Sequence, residues 1–175
     1  MGNIRIGING FGRIGRTVFR HVLDRPGVEV VAINDLGNNP RNLAYMLKYD
    51  STHGRFHGEV AVDGDNLVVN GDRIRVLRHP DPAELPWRLL NVDLVLECSG
   101  AYSDRATAEK HIEAGAQRLL FSQPGNGTYQ QQITGTGKVV KVLPGKPSAR
   151  QVAAVMKAVA ARNEKVRKAK KKPVS

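Results

Sequence analysis

The chain has 175 residues, enough for one well-buried core with residues to spare but cramped for two full domains. Its composition is that of a globular protein, and no apolar run approaches the roughly 18 to 20 residues of a membrane helix, so no membrane partner is expected. The single cysteine, Cys98, excludes an internal disulfide, and the formal charge of +11 is uneven: residues 1–125 balance 15 Lys and Arg against 15 Asp and Glu, whereas residues 126–175 set 12 against Glu164 alone.

In chain order, Met1-Gly2 leads directly into Asn3–Asn9, which alternates with Ile4, Ile6 and Ile8 and reads as a strand. That start predicts no signal peptide, and with one cysteine it predicts a reducing, cytoplasmic location. Gly2 is not a myristoylation signal, because residue 6 is Ile. The glycine cluster Gly10-Phe11-Gly12-Arg13-Ile14-Gly15 follows. A helix is predicted from Arg13 to Leu23, with Ile14, Val18, Phe19 and Val22 at helical spacing and Pro26-Gly27 as the stop. Val28–Ile33 is nearly all apolar, as in a parallel strand buried on both faces. Pro40 opens a short helix to Leu47.

Glu59–Val62, Leu67–Val69 and Arg73–Leu77 read as short strands separated by Asp63-Gly64-Asp65 and Asn70-Gly71-Asp72, so an antiparallel meander interrupts the βαβ pattern. Val92–Glu97 is a further buried strand. Asp104 caps a helix to about Ala114, ended by Gly115, and Arg118–Ser122 is another short strand. Gly125–Gly137 reads as loop, Lys138–Leu143 as one extra strand, and Pro144-Gly145-Lys146-Pro147 as a break. From Ser148 an amphipathic helix is expected, with Val152, Val155, Met156, Val159 and Val166 on one face, running into the basic stretch Lys165–Lys172. The expected organisation is therefore a domain over 1–125, a linker over 126–147, and a helix with basic tail over 148–175.

The glycine cluster carries chemistry because its context is complete: a strand before it, a helix after it, and an acid, Asp35, at the end of the second strand. Gly10 permits the tight turn, Gly12 lets the backbone approach a pyrophosphate, and Gly15 lets the helix pack closely. The helix N-terminus offers N–H groups and a positive dipole end to phosphates. Asp35 would accept the adenosine ribose hydroxyls and repel a 2′-phosphate, which favours NAD over NADP. The implied fold class is α/β: a Rossmann-type doubly wound parallel sheet with an inserted antiparallel meander and an appended C-terminal helix.

The string Ile6–Arg16 (IGINGFGRIGR) is more specific than the generic motif. With Val31-Ala32-Ile33-Asn34-Asp35, Leu47–Phe56 (LKYDSTHGRF), Leu85-Pro86-Trp87 and Glu97-Cys98-Ser99-Gly100, in that order and spacing, it resembles the phosphorylating glyceraldehyde-3-phosphate dehydrogenase family. Ala101-Tyr102 and Leu119–Pro124 (LLFSQP) look closer to its erythrose-4-phosphate dehydrogenase branch. The resemblance implies that Asn9, Gly10, Gly12, Arg13 and Ile14 contact the pyrophosphate, that Asp35 holds the adenosine ribose, and that Ser99, Gly100 and Ser122 line the cleft toward the nicotinamide. It also implies a partner subunit or homo-oligomer.

Two departures qualify it. Pro80 stands where many members carry an arginine near the adenine, and Arg78 is the candidate replacement. The family's Ser-x-x-Ser-Cys-Thr-Thr-Asn segment and its later catalytic His are absent, and Cys98 falls at a strand end where it reads as a packed residue. Without a nucleophilic thiolate no covalent acyl-enzyme can form, so the chain is expected to bind cofactor while being catalytically incomplete. His53 and His57, four apart in a glycine-containing loop, do not read as metal ligands. The last 50 residues do not resemble the family. They read as a packing helix, as a tail without a selected role, or as a non-specific nucleic-acid- or partner-binding extension through Lys165, Arg167, Lys168, Lys170, Lys171 and Lys172.

Overall fold

A computed structural model describes residues 3–51 and 54–123, and the backbone of 131–133 and 139–141. The elements are β1 (Ile4–Asn9), α1 (Arg13–Leu23), β2 (Val28–Asn34), α2 (Pro40–Lys48), β3 (Tyr49–Asp50), β4 (Gly54–Arg55), β5 (Val60–Asp63), β6 (Asn66–Val69), β7 (Asp72–Leu77), β8 (Leu94–Glu97), α3 (Arg105–Glu113), β9 (Leu119–Phe121), β10 (Gln131–Ile133) and β11 (Val139–Lys141), with a 3-10 turn at Pro82–Glu84 before β8.

One seven-stranded sheet organises the domain, in the order β5-β6-β7-β2-β1-β8-β9. β7, β2, β1, β8 and β9 run parallel, and β5 and β6 join antiparallel. The meander therefore does not stand apart. Its last strand, β7, is also the third parallel strand. The Asn70-Gly71 hairpin signal corresponds to a turn with positive φ at both residues, 51° and 89°.

Chain order reverses at β1: β2 lies on one side and β8 on the other, which opens a crevice beyond their carboxyl ends. Both faces of the sheet are covered, as the continuous apolar strands require. Ile4, Ile6 and Ile8 pack with Phe19 and Val22 of α1 and Leu43 and Leu47 of α2. On the opposite face Ala32 and Val95 pack with Trp87, Ala108 and Leu119. Gly7 belongs to that second face: a Cβ there would lie 2.8 Å from the Trp87 ring, so a glycine in mid-strand is the condition for seating the indole. Trp87 is fully buried, which alone is worth roughly 2–3 kcal/mol of apolar transfer.

The helices start where capping dictates. Asn39 accepts from the Asn42 N–H with Pro40 behind it, and Asp104 accepts from the Thr107 N–H. Strand β8 begins two residues later than the apolar run suggests: the Val92 N–H is taken by the Trp87 carbonyl at 2.9 Å, outside the sheet, and the Asp93 N–H is the first to reach β1, at the Arg5 carbonyl, 2.8 Å away. The expected loop over Gly125–Gly137 needs correction. Gln131–Ile133 forms a strand that pairs antiparallel with Val139–Lys141, the core of the strand expected at Lys138–Leu143. Gln131-Gln132-Ile133 has no alternating pattern, so its pairing with the neighbouring Val139–Lys141 decides its conformation. The helix expected from Ser148 and the basic run after it lie outside the described residues.

Candidate dinucleotide-binding site

The loop from Asn9 to Gly15 caps the carboxyl end of β1, and each glycine has a distinct geometric reason. Gly10 has φ +90°, and a Cβ there would meet the Ser99 Cα at 2.4 Å, so the loop lies directly on the end of β8. A Cβ on Gly15 would sit 2.2 Å from the Gly10 carbonyl oxygen, which shows that Gly15 serves packing of the helix against the loop more than against the sheet. Gly12 is the opposite case: it is exposed, and nothing lies within 4 Å of a Cβ there. The space above Gly12 is open, as a phosphate approaching the backbone requires.

Gly12 is also the N-cap of α1, without a side-chain cap, whereas α2 and α3 each have one. The first-turn N–H groups of α1 thus face the crevice with the positive end of the helix dipole and no acid in the first turn. Arg13 and Ile14 are exposed at that turn. The loop is held from below. Phe11 is fully buried, packs edge-on against Phe19 at 5.4 Å, and donates its N–H to Asp35 Oδ2 at 3.0 Å. Arg16 donates to Asp50 Oδ2 at 2.8 Å and to the Phe11 carbonyl at 3.1 Å.

Asp35 has a second job that its place in the fingerprint does not reveal. Oδ2 anchors the loop through Phe11, and Oδ1 accepts from the Gly37 N–H and from Asn38 Nδ2. Its half-buried carboxylate, at the end of β2 beside the uncapped helix, keeps lone pairs for a diol.

On the other lip Ser99 and Gly100 are exposed at the end of β8, and Ser122 is half-buried after β9. Ser99 turns its hydroxyl inward to Glu97 and accepts the Ala101 N–H, so it presents backbone and Cβ to the cleft. Cys98 is buried and packs in the core cluster of β1 and β8. Burial pushes its thiol up to about 12, against a lesser lowering from the Ser122 side chain, which disfavours the thiolate at neutral pH. Arg78 is exposed, and the Pro80 carbonyl accepts from the Tyr102 hydroxyl at 3.0 Å.

Asn9 turns its side chain away from the strand ends. It is 3% exposed, and its side chain lies inside the protein. Its Oδ1 accepts from Asn34 Nδ2 at 2.7 Å and its Nδ2 donates to Glu97 Oε2. Asn34 is fixed by both backbone groups of His79, and Glu97 also meets His111, which bonds Trp87. The motifs alone do not reveal this buried polar row. The available signals were a glutamate closing the otherwise apolar Val92–Glu97 run and a histidine on the inner face of a helix.

Among the described residues no group of three His, Cys, Asp or Glu could hold a metal, and no helix is long and apolar enough to cross a membrane.

An open glycine over an uncapped helix N-terminus, at a switch point and beside a strand-end acid, fits a dinucleotide. The profile of one family, described as "Glyceraldehyde 3-phosphate dehydrogenase, NAD binding domain", matches residues 4–105. The chain belongs to this family. Its similarity to the glyceraldehyde-3-phosphate dehydrogenase relatives lies in the same part. It is 53% identical over 123 residues to glyceraldehyde-3-phosphate dehydrogenase 1 of Bacillus subtilis, covering 70% of this chain and 36% of the relative. It is 55% identical over 121 residues to the cytosolic enzyme of Trypanosoma brucei brucei, covering 69% and 36%. It is 52% identical over 121 residues to the enzyme of Geobacillus stearothermophilus, again covering 69% and 36%. The chain thus spans little more than a third of the length of these glyceraldehyde-3-phosphate dehydrogenases. The matched region is the family's Rossmann domain, and its cofactor is NAD.

Proposed function

We propose that residues Asn9 to Gly15 form the pyrophosphate seat of this NAD-binding domain, with Gly10, Gly12, Arg13, Ile14 and Gly15 supplying backbone approach and first-turn N–H groups. Asn9 contributes by fixing the loop from beneath. Asp35 accepts the adenosine ribose hydroxyls, and its charge selects NAD over NADP. Ser99, Gly100 and Ser122 form the wall toward the nicotinamide. The single observation that carries this reading is Gly12, whose missing side chain faces open space at the N-cap of an uncapped helix.

Bound NAD would supply a hydride acceptor, and the described residues bind and orient it. The natural context of the domain is a phosphorylated-aldehyde dehydrogenase. In this reading these 175 residues supply the cofactor half, since their only cysteine is buried in the core and burial raises its thiol. Isothermal titration of the full chain with NAD and NADP tests the site: micromolar NAD binding with much weaker NADP binding is expected, and silence toward NAD at millimolar overturns it. Aldehyde- and phosphate-dependent NADH formation by the purified chain would overturn the catalytic part. The charge excess after residue 125 further supports weak, sequence-independent binding of nucleic acid. A mobility shift that vanishes as salt rises is the expected result, and no shift at low salt rejects it.

A further inference from the structure

The buried row behind the cleft has a polarity. At one end stands Trp87, whose indole N–H can only donate, at 3.0 Å to His111 Nδ1. His111 is fully buried, so accepting on Nδ1 places the ring proton on Nε2, which lies 3.1 Å from Glu97 Oε2. At the other end the backbone of His79 fixes Asn34 with its Nδ2 toward the Asn9 Oδ1, at 2.7 Å, and that leaves the Asn9 Nδ2 facing the same Glu97 oxygen. Glu97 Oε1 receives the Ser99 N–H at 2.9 Å and the Ser99 hydroxyl. Four donors therefore converge on a carboxylate that is 1% exposed, and both ends of the row forbid reversing them.

Two of those partners belong to opposite lips of the cleft. Asn9 is the last residue of β1 and the root of the glycine loop. Ser99 lies just beyond β8, and Gly10 is packed against its Cα. We infer that Glu97 is a positioning residue for the dinucleotide: it ties the two lips together, and only an all-acceptor side chain can do so, because Trp87 sets the tautomer of His111. Glu97 does not reach the cleft and acts through Asn9 and Ser99. This inference rests on the site assigned above.

The row explains why two motif residues remote from the glycine loop, Trp87 and Glu97, serve one site. It also dictates what a conservative replacement meets. In Glu97→Gln the amide must direct an N–H₂ at donors, either Ser99 or the His111–Asn9 pair, and these donors cannot turn to accept: the Ser99 N–H is backbone, Trp87 keeps the His111 proton on Nε2, and Asn34 with His79 keeps the Asn9 Nδ2 as a donor.

The test is NAD titration of the full chain and of Glu97→Gln, each checked for folding by circular dichroism, with long-range ¹H–¹⁵N correlation of the His111 ring in the unaltered chain. Expected are at least tenfold weaker NAD binding by folded Glu97→Gln and a His111 ring protonated on Nε2. Folded Glu97→Gln binding within twofold of the unaltered chain overturns the positioning role, and a ring protonated on Nδ1 overturns the tautomer set by Trp87. Should Glu97→Gln not fold, the ring decides: a proton on Nδ1 overturns the inference. Failure of the unaltered chain to bind NAD would sink the site assignment instead, a result distinct from any of these.

Discussion

Gly12 and Gly10 stand two residues apart in one loop, yet their replacement by alanine should have opposite consequences. At Gly12 the backbone has φ −69° and an added Cβ meets nothing within 4 Å. Alanine is a poorer N-cap than glycine by roughly 0.5–1 kcal/mol. Restricting the unfolded chain returns roughly 0.4–1 kcal/mol. The two nearly cancel, so Gly12→Ala should melt within a few degrees of the unaltered chain. The new methyl stands where a phosphate must approach, and NAD affinity should fall at least tenfold, about 1.4 kcal/mol. At Gly10 a side chain is strained at φ +90° and would lie 2.4 Å from the backbone of Ser99. Strain of roughly 1–3 kcal/mol and a forced shift of β8 of similar size add to several kcal/mol, or well over 10 °C in a domain of this size. Scanning calorimetry and NAD titration of both variants separate the effects. Unchanged NAD affinity in Gly12→Ala would refute the phosphate seat, and a large loss of its stability would refute the open geometry.

Asp35→Asn should weaken NAD and narrow the preference over NADP, because the amide meets three donors where the carboxylate accepted them; titration with both nucleotides gives the ratio, and an unchanged ratio counts against the ribose role. Arg16→Met takes one ion-pair partner from Asp50, whose carboxylate is 1% exposed, and releases the Phe11 carbonyl, so denaturant unfolding should show a loss of roughly 1–3 kcal/mol; a loss below about 0.5 kcal/mol would contradict the anchoring. Cys98 holds its proton more tightly folded than unfolded, about 12 against 9.0, so its contribution is intact below about pH 9 and is lost as pH rises toward 12. Alkylation of the native chain at pH 8 should accordingly run roughly a thousandfold slower than in denaturant, and equal rates by mass spectrometry would rule the buried thiol out. The Thr107 backbone N–H bond chiefly holds the Asp104 carboxyl below the usual aspartate range, so its cap is present at neutral pH and fades as pH falls through the acid range; Asp104→Ala should cost about 1 kcal/mol at pH 7 and nearly nothing at pH 2.

The parallel sheet was legible because its strands announce themselves twice, as apolar runs and by the residues at their carboxyl ends. Ile4-x-Ile6-x-Ile8 meets a glycine loop, and Val28–Ile33 meets an acid. Caps at Asn39 and Asp104 and turns at Asn70-Gly71 are local chemistry, and local chemistry is written in adjacent residues. Strand Gln131–Ile133 was not legible, since its partner lies several residues away and no alternation marks its face. Nor was the late start of β8, which depends on the Trp87 carbonyl that takes the Val92 N–H out of the sheet.

The same division runs through the site. Gly10, Gly12, Gly15 and Asp35 are legible in spacing because each is marked by its own backbone or its own strand end, and the structure brings them together at the carboxyl ends of β1 and β2. Glu97, His111 and Trp87 could not, because what makes them a unit is burial and direction. A glutamate at the end of an apolar strand can signal a surface edge, a catalytic acid or a buried anchor. Only the convergence of Asn9, Ser99 and His111 on its two oxygens distinguishes these. Donor direction is then set by groups that have no choice: an indole that cannot accept and a peptide unit with one donor and one acceptor. Asn9 is thereby turned inward, and the loop it begins is tied through it to a carboxylate that lies 1% exposed behind the strand ends.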